Sequence, residues 1–285
     1  MEYDLADVLP RRGYPLGAES DLKGDPGGGS RGRACCTSVV TTLIDLAELG
    51  SVGGFFALRA GPPPGGAKPF TEVYAERPAG PESGDPIGFR VRKVAGRLGA
   101  PEDRIAVSVA QLGLAARLWS VALGSAALYG RVPDLDPALL HWDADGTSPD
   151  DLWLTDVRLL PGAAATVRDV VQHGHLAPLS AALRARYRIS AGLLWGNAGS
   201  ALAGAARELH GWARRSGRED VGERALALAG ELFGHPDLRG TGTLRGTAFR
   251  RRSCCLYYRC PGGGLCGDCC FERAPQRSSP GAASG

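Results

Sequence analysis

The stretch PEDRIAVSVAQLGLAARLWSVALGSAALY, residues 101–129, decides the class of fold. Pro101, Glu102 and Asp103 place a fixed φ and two acids in a first helical turn, where the positive end of the helix dipole favours negative charge. Ile105, Val109, Leu112, Ala116, Trp119 and Leu123 then recur at helical spacing, and nearly every other position is small or apolar. A helix apolar all round is either a core helix or a membrane span. Crossing about 30 Å of hydrocarbon takes about 20 predominantly apolar residues. Gln111, Arg117 and several Ser and Gly break this run, so a buried helix to about Tyr129 is expected, and no transmembrane segment.

Working outward, the downstream chain reads as helices at Thr166–His173, Ala177–Tyr187, Ser190–Arg215 and Glu219–Phe233, punctuated by Pro161-Gly162 and His235-Pro236. Upstream, Val39, Val40, Leu43, Ile44, Ala47 and Leu49 have helical spacing, with Thr37 or Ser38 as cap and Gly50 as stop. Gly/Pro-rich loops are expected at Gly61–Gly66 and Pro78–Pro86. Phe89-Arg90-Val91-Arg92 alternates like a short strand, while Leu139–Trp142, a turn at Asp145-Gly146 and Leu152–Leu160 read as a β-hairpin or two strands. The expected class is α+β, mostly helical with a small sheet or hairpin, ending in a cysteine-rich loop with little helix pattern. The regions are a flexible arm at 1–33, an α/β region at 34–160, a helical region at 161–249, a cysteine segment at 250–272 and a disordered tail at 273–285.

Composition excludes several functions. Thirty-three basic against 30 acidic residues give a net charge of +3, too balanced to argue for nucleic acid. Lysine occurs only at Lys23, Lys68 and Lys93 and methionine only at Met1, a compositional bias rather than a functional signal. Met1–Arg12 carries Glu2, Asp4 and Asp7 with neither a basic n-region nor an apolar h-region, so no signal peptide is expected and the cytoplasm is the expected location. No G-x-G-x-x-G follows a strand and no P-loop lysine motif occurs, so no nicotinamide or nucleotide site is expected. His173, His175, His210 and His235 show no zinc spacing and are expected to be solvated or capping.

Six of the eight cysteines lie in Arg250-Arg251-Arg252-Ser253-Cys254-Cys255-Leu256-Tyr257-Tyr258-Arg259-Cys260-Pro261-Gly262-Gly263-Gly264-Leu265-Cys266-Gly267-Asp268-Cys269-Cys270-Phe271. Cys266 and Cys269 form a C-x-x-C, a spacing that brings two thiolates to one metal through a tight turn, and Cys254-Cys255 add a vicinal pair. In a reducing compartment such a set points to metal rather than disulfide. Zinc and iron–sulfur both remain open on ligand softness. Zinc usually takes two C-x-x-C knuckles, whereas a binuclear cluster has ligand positions at two ends and accommodates a diverging pair. Cys35 and Cys36 are expected to pack as small hydrophobes.

The pattern C-C-x10-C-x2-C at Cys254, Cys255, Cys266 and Cys269 resembles the C-terminal [2Fe–2S] signature of the FhuF-type ferric-siderophore reductases. Leu194-Trp195-Gly196-Asn197 is similar to a recurring element of the same proteins. The resemblance implies that these four cysteines ligate a [2Fe–2S] cluster, and that the protein reduces ferric siderophores, or other ferric chelates, in the cytoplasm by outer-sphere one-electron transfer. Iron held tightly as Fe(III) by hard oxygen ligands is held far less tightly as Fe(II), so reduction itself releases it. No catalytic residue beyond the cluster is required.

Cys260 and Cys270 fall outside the family pattern and are expected to be bystanders. Arg250, Arg251, Arg252 and Arg259 flank a centre carrying roughly two negative charges in formal counting. The expected contacts to an anionic chelate or an acidic donor are Arg252 first, then Arg251, Arg259, Tyr257 and Trp195. Charge compensation and core packing are the alternative roles, and for Asn197 a structural hydrogen bond. A separate ferredoxin or flavoprotein is expected to deliver the electrons, and peripheral membrane association is compatible with the sequence. The rival readings are a zinc-stapled structural or interaction protein and an electron carrier without siderophore turnover.

Overall fold

A computed structural model describes residues 44–75 and 84–275. The arm at 1–33, Cys35, Cys36, the expected cap at Thr37 or Ser38, and the chain beyond 275 lie outside the described residues. Helix α1 (Leu46–Ser51) is capped by Asp45, whose carboxylate accepts from the amides of Ala47 and Glu48 at 2.8 and 3.1 Å. The expected helix is thus corrected. Ile44 and Asp45 are not helical, because Asp45 is the better N-cap, and the helix runs past Gly50.

A 3-10 turn at Gly54–Phe56 leads to β1 (Arg59–Ala60), β2 (Lys68–Pro69) and the short helix α2 (Phe70–Val73). Helix α3 (Pro86–Leu98) replaces the strand expected at Phe89–Arg92. Asp85 caps it through the Gly88 amide at 3.0 Å, and Gly99 closes it at φ 54°. Its buried apolar residues Ile87, Val91 and Val94 stand four and three apart, so four alternating residues were a fragment of a helical period.

Helix α4 (Asp103–Tyr129) is the expected core helix. Among the described residues it is the one helix long and apolar enough to cross a bilayer, and 83% of that apolar window is enclosed by the rest of the fold. Arg117, at its middle, is 2% exposed. Its Nε donates to Asp151 Oδ1 at 2.9 Å, its Nη2 to the Ala57 carbonyl at 2.8 Å, and its Nη1 to the Gly54 and Phe55 carbonyls. The cation that interrupts the apolar run therefore pins the 54–57 turn to the core.

Strands β3 (Arg131–Pro133), β4 (Leu140–Trp142), β5 (Leu152–Leu154) and β6 (Leu159–Pro161) follow. The expected hairpin is β4–β5, with Leu140 opposite Leu154, inside a four-stranded sheet of order β1-β5-β4-β2. Leu152–Leu160 is not a single arm: β6 leaves that sheet and pairs with β3.

Helix α5 (Ala164–Val167), a π-helical stretch at Arg168–Leu176 and α6 (Ala177–Arg186) run without a break where two helices were expected. Pro178 lacks the amide that an α-helix would bond to Gly174, and the chain widens just before it. Helix α7 (Ala191–Arg215), capped by Ser190, and α8 (Glu219–Phe233) keep the expected limits. After α9 (Pro236–Arg239), strands β7 (Gly242–Arg245) and β8 (Ala248–Arg251) form a hairpin that the sequence reading lacked. Its two-residue turn has Gly246 at φ 57°, the left-handed conformation hairpin turns require. Helices α4, α7 and α8 enclose one apolar core that reaches from Leu49 to Cys269.

His175, expected to be solvated or capping, is fully buried in that core. Its Nε2 faces the Leu135 carbonyl and must donate, so its Nδ1 accepts from Tyr74 Oη at 2.8 Å. Phe70 packs edge-on against the ring at 5.0 Å. Burial holds the imidazole at a pKa of about 4, below its ordinary 6.5. In that window the unfolded chain binds a proton that the fold rejects, so stability present at neutral pH is lost as the pH falls. Urea unfolding at pH 7 and pH 4 is expected to show that His175→Gln removes about 3 kcal/mol of the wild-type loss.

Candidate metal centre

One face of α7 carries the cysteine segment. Gly192, Gly196 and Gly199 stand four and three apart, so they share a side of the helix. A Cβ on Gly196 would lie 2.0 Å from Ser253 Oγ, and one on Gly199 would lie 2.4 Å from Thr241 Oγ1. Ser253 Oγ donates to the Gly192 carbonyl at 3.1 Å. Glycine at 196 and 199 lets the chain lie this close, while a Cβ at Gly192 would meet open space.

Asn197, the next residue after Gly196, turns toward α4 and is fully buried. Its Nδ2 donates to the Ser108 carbonyl and hydroxyl on α4 at 2.9 and 3.1 Å, while its Oδ1 accepts from Arg251 Nη2. Arg251 ends β8 and is 2% exposed. Its Nε donates to the Ser253 carbonyl at 3.0 Å, and its backbone amide to the Asp268 carbonyl, also at 3.0 Å. Its Nη1 is buried with no hydrogen-bond partner among the described residues.

The two cysteine turns meet here. Cys266 and Cys269 close a tight turn, the Cys269 amide donating to the Cys266 carbonyl at 3.1 Å. Asp268 between them turns its carboxylate away from the thiols, accepting from Ser200 Oγ at 2.6 Å and facing Arg207 Nη1 at 3.4 Å. On the other side Leu256 adopts φ 70°, a rare conformation for a branched residue, and its amide donates to Cys254 Sγ at 3.2 Å. Gly263 lets the loop fold back, since a Cβ there would lie 2.2 Å from the Tyr257 carbonyl oxygen. The Phe271 amide donates to Cys269 Sγ at 3.4 Å. Amides aimed at sulfur are what a thiolate ligand needs.

Electrostatically the thiols act as a group. The Cys254 and Cys266 thiols hydrogen-bond to Cys255 and hold it as a thiolate, with the Arg251 charge assisting, so its pKa is lowered. Cys254 and Cys266 are pushed up for the same reason, each lending its proton to that neighbour. Cys255, Cys266 and Cys269 are buried, while Cys254 and Cys270 are half-buried.

The family model for the FhuF 2Fe–2S C-terminal domain matches residues 251–271, and the model described as ferric iron reductase FhuF-like transporter matches residues 114–240. Together they span just over half of the chain. The chain belongs to the FhuF-type family. Its C-terminal segment is accordingly a [2Fe–2S] domain. None of the curated proteins matches the chain at a significant level.

The residues fit this cofactor. The Cys254 and Cys266 thiols meet at Cys255 with Cys269 next to Cys266, a spread suited to a two-iron centre. The Asp268 carboxylate is engaged by Ser200, and the unpartnered Arg251 Nη1 would gain an acceptor once an anionic cluster is bound.

The remaining expected site residues are placed as follows. Arg252 is exposed, its amide bonded to the Thr241 carbonyl at 2.8 Å. Arg250 is exposed and donates to the Cys270 carbonyl at 3.1 Å. Arg259 pairs with Glu102 at 2.8 Å. Tyr257 and Trp195 are partly buried against the core, and Tyr258 meets Phe271 edge-on at 5.7 Å. Cys260 is 1% exposed, and Cys270 reaches the Cys254 thiol. The sequence reading missed the Asp268 clamp to Ser200 and Arg207. The glycine spacing of α7 was readable as a docking face and went unread.

Gly196→Ala tests the groove. The added methyl overlaps Ser253 Oγ, and overpacking of this kind costs about 1–3 kcal/mol. A lowered melting temperature and less than the wild-type iron per chain are expected after identical reconstitution.

Proposed function

We propose that this protein is a ferric-siderophore reductase, passing one electron to chelated Fe(III) so that Fe(II) leaves the chelate in the cytoplasm. The observation that carries the reading is the asymmetry of the thiol site: three of the cysteines of the family pattern are buried and Cys254 alone is partly exposed. Cys254, Cys255, Cys266 and Cys269 are assigned as the ligands. When bound, the cluster supplies a one-electron donor whose potential follows charge and hydrogen bonding around it.

The chain's own residues set those conditions. Arg251, held by Asn197 and the Ser253 carbonyl, brings a positive charge to bear on Cys255 and Cys266. Its burial assigns it to the cluster rather than to a docking molecule. Arg252 is exposed two residues before Cys254, and Arg250, exposed and bonded to the Cys270 carbonyl, shares its charge with Glu272 at 3.3 Å, so Arg252 is the cation of that edge left to a docking molecule. An anionic chelate or an acidic donor protein is attracted to such a charge. Arg259 ties the loop to the start of α4 through Glu102, and Tyr257 and Trp195, partly buried, close the flanks against water. Electrons are returned by a separate ferredoxin or flavoprotein.

The reduced protein, mixed without oxygen with ferric hydroxamate or catecholate chelates, is expected to lose its reduced spectrum while a ferrous trap records one Fe(II) per cluster. A reduced spectrum that persists with no Fe(II) formed means an electron carrier and overturns the proposal. A colourless, zinc-loaded preparation overturns it too.

Arg251→Gln removes a charge that favours the extra electron, so its midpoint potential is expected to fall. A shift of about 60 mV corresponds to tenfold in a one-electron equilibrium, and Arg251→Lys should move less. Arg252→Ala is expected to leave the potential in place while slowing chelate reduction or donor coupling, the more so at low salt. Spectroelectrochemical titration and stopped-flow mixing separate the two effects.

A further inference from the structure

The π-helical stretch brings His173 beside His235 and Asp237, residues more than sixty positions further along the chain. One ligand atom from each of the three lies within 4.8 Å of the other two. The His173 and His235 rings meet edge-on at 5.7 Å between centroids, and His235 Nδ1 stands 3.6 Å from Asp237 Oδ2. These are separations of the order found between donors around a single ion.

The surroundings hold these donors in place. Asp169, one turn before His173, puts Oδ1 3.2 Å from its Nδ1 and is itself gripped by Arg168 at 2.8 Å. A carboxylate on one ring nitrogen orients an imidazole and leaves Nε2 for a metal, the arrangement that supports most ligating histidines. Gln172 is fully buried beneath the pair. Its Nε2 donates both to Asp237 Oδ2 at 2.7 Å and to His235 Nδ1 at 2.8 Å. Two lone pairs thus converge on one positive point, which the amide now supplies. The Gln172 Oε1 is buried with no partner among the described residues, and half a turn of the amide would bring that oxygen to the same point.

We propose that His173, His235 and Asp237 form a binding site for a divalent first-row transition cation of the zinc or ferrous type. Two imidazoles with one carboxylate make a borderline donor set. It is too rich in nitrogen for calcium or magnesium, which take oxygen ligands, and it lacks the sulfur that selects Cu(I). Three protein ligands at a partly exposed position leave coordination sites open to water or to an exchanging ligand. The ion adds without any redox step: His173 and His235 bind as neutral imidazoles and Asp237 as a carboxylate, with water leaving the ion. The site is separate from the thiols and does not depend on the reductase reading.

Zinc chloride titrated into the cluster-loaded chain, followed by calorimetry and elemental analysis, tests the site. One zinc per chain beyond the cluster iron is expected, with a zinc-dependent rise in melting temperature. His173→Ala/His235→Ala together should abolish that zinc, and Asp169→Asn should weaken it about tenfold. The visible spectrum and zinc-free melting temperature of each variant report an intact fold and cluster. Should the double variant unfold, Asp237→Asn, at an exposed side chain, replaces it and should lose the zinc as well. Absence of saturable uptake by the wild-type chain, or uptake unchanged in a folded variant, overturns the site.

Discussion

A single amide joins the two parts of the molecule that matter for chemistry. Asn197 spends both its donor protons on Ser108 of α4 and its oxygen on Arg251 of β8. The amide has one orientation that satisfies these partners, and the glycines beside it on α7 let β8 and Ser253 come close enough to be reached. Everything at the thiol site is placed from there. Arg251 fixes the Ser253 carbonyl and thereby the approach to Cys254-Cys255, while its backbone holds Asp268 and the Cys266–Cys269 turn. A Trp-Gly-Asn element nearly sixty residues before Cys254 packs with the cysteine segment for this reason.

Two buried arginines show how the fold distinguishes support from function. Arg117 and Arg251 are each 2% exposed. The first is met by a carboxylate and three carbonyls, so its charge and donors are consumed within the chain. The second is left with a donor that no described residue accepts. A buried cation is costly unless paired, and Arg251 keeps a donor free beside the thiols, where an anionic centre would meet it. Burial alone does not separate the two; the accounting of hydrogen bonds does.

Much of this was legible in the chain because its signals are local. Ser190 marks a helix start, Asp103–Tyr129 declares a core helix by being apolar all round, and the cysteine spacing stands within one short segment. The failures have physical causes. Phe89–Arg92 offers too few residues to tell a period of two from one of 3.6. The β7–β8 hairpin rests on Gly246 between strands of only four residues each, too short for their alternation to stand out. His175 looks like any polar residue until tertiary packing encloses it, and His173 and His235 show no metal spacing because a spacing is a property of one segment. They meet only once α5, α6 and α9 are in place.

The order of parts along the chain carries a consequence for biogenesis. Every cysteine assigned to the cluster comes after α4 and α7, the helices whose glycines and Asn197 form the surface that receives them. Because a chain emerges from the ribosome N-terminus first, the scaffold can assemble before any ligand thiol exists. The cysteine segment thus has a surface already made on which to close when iron and sulfide are supplied.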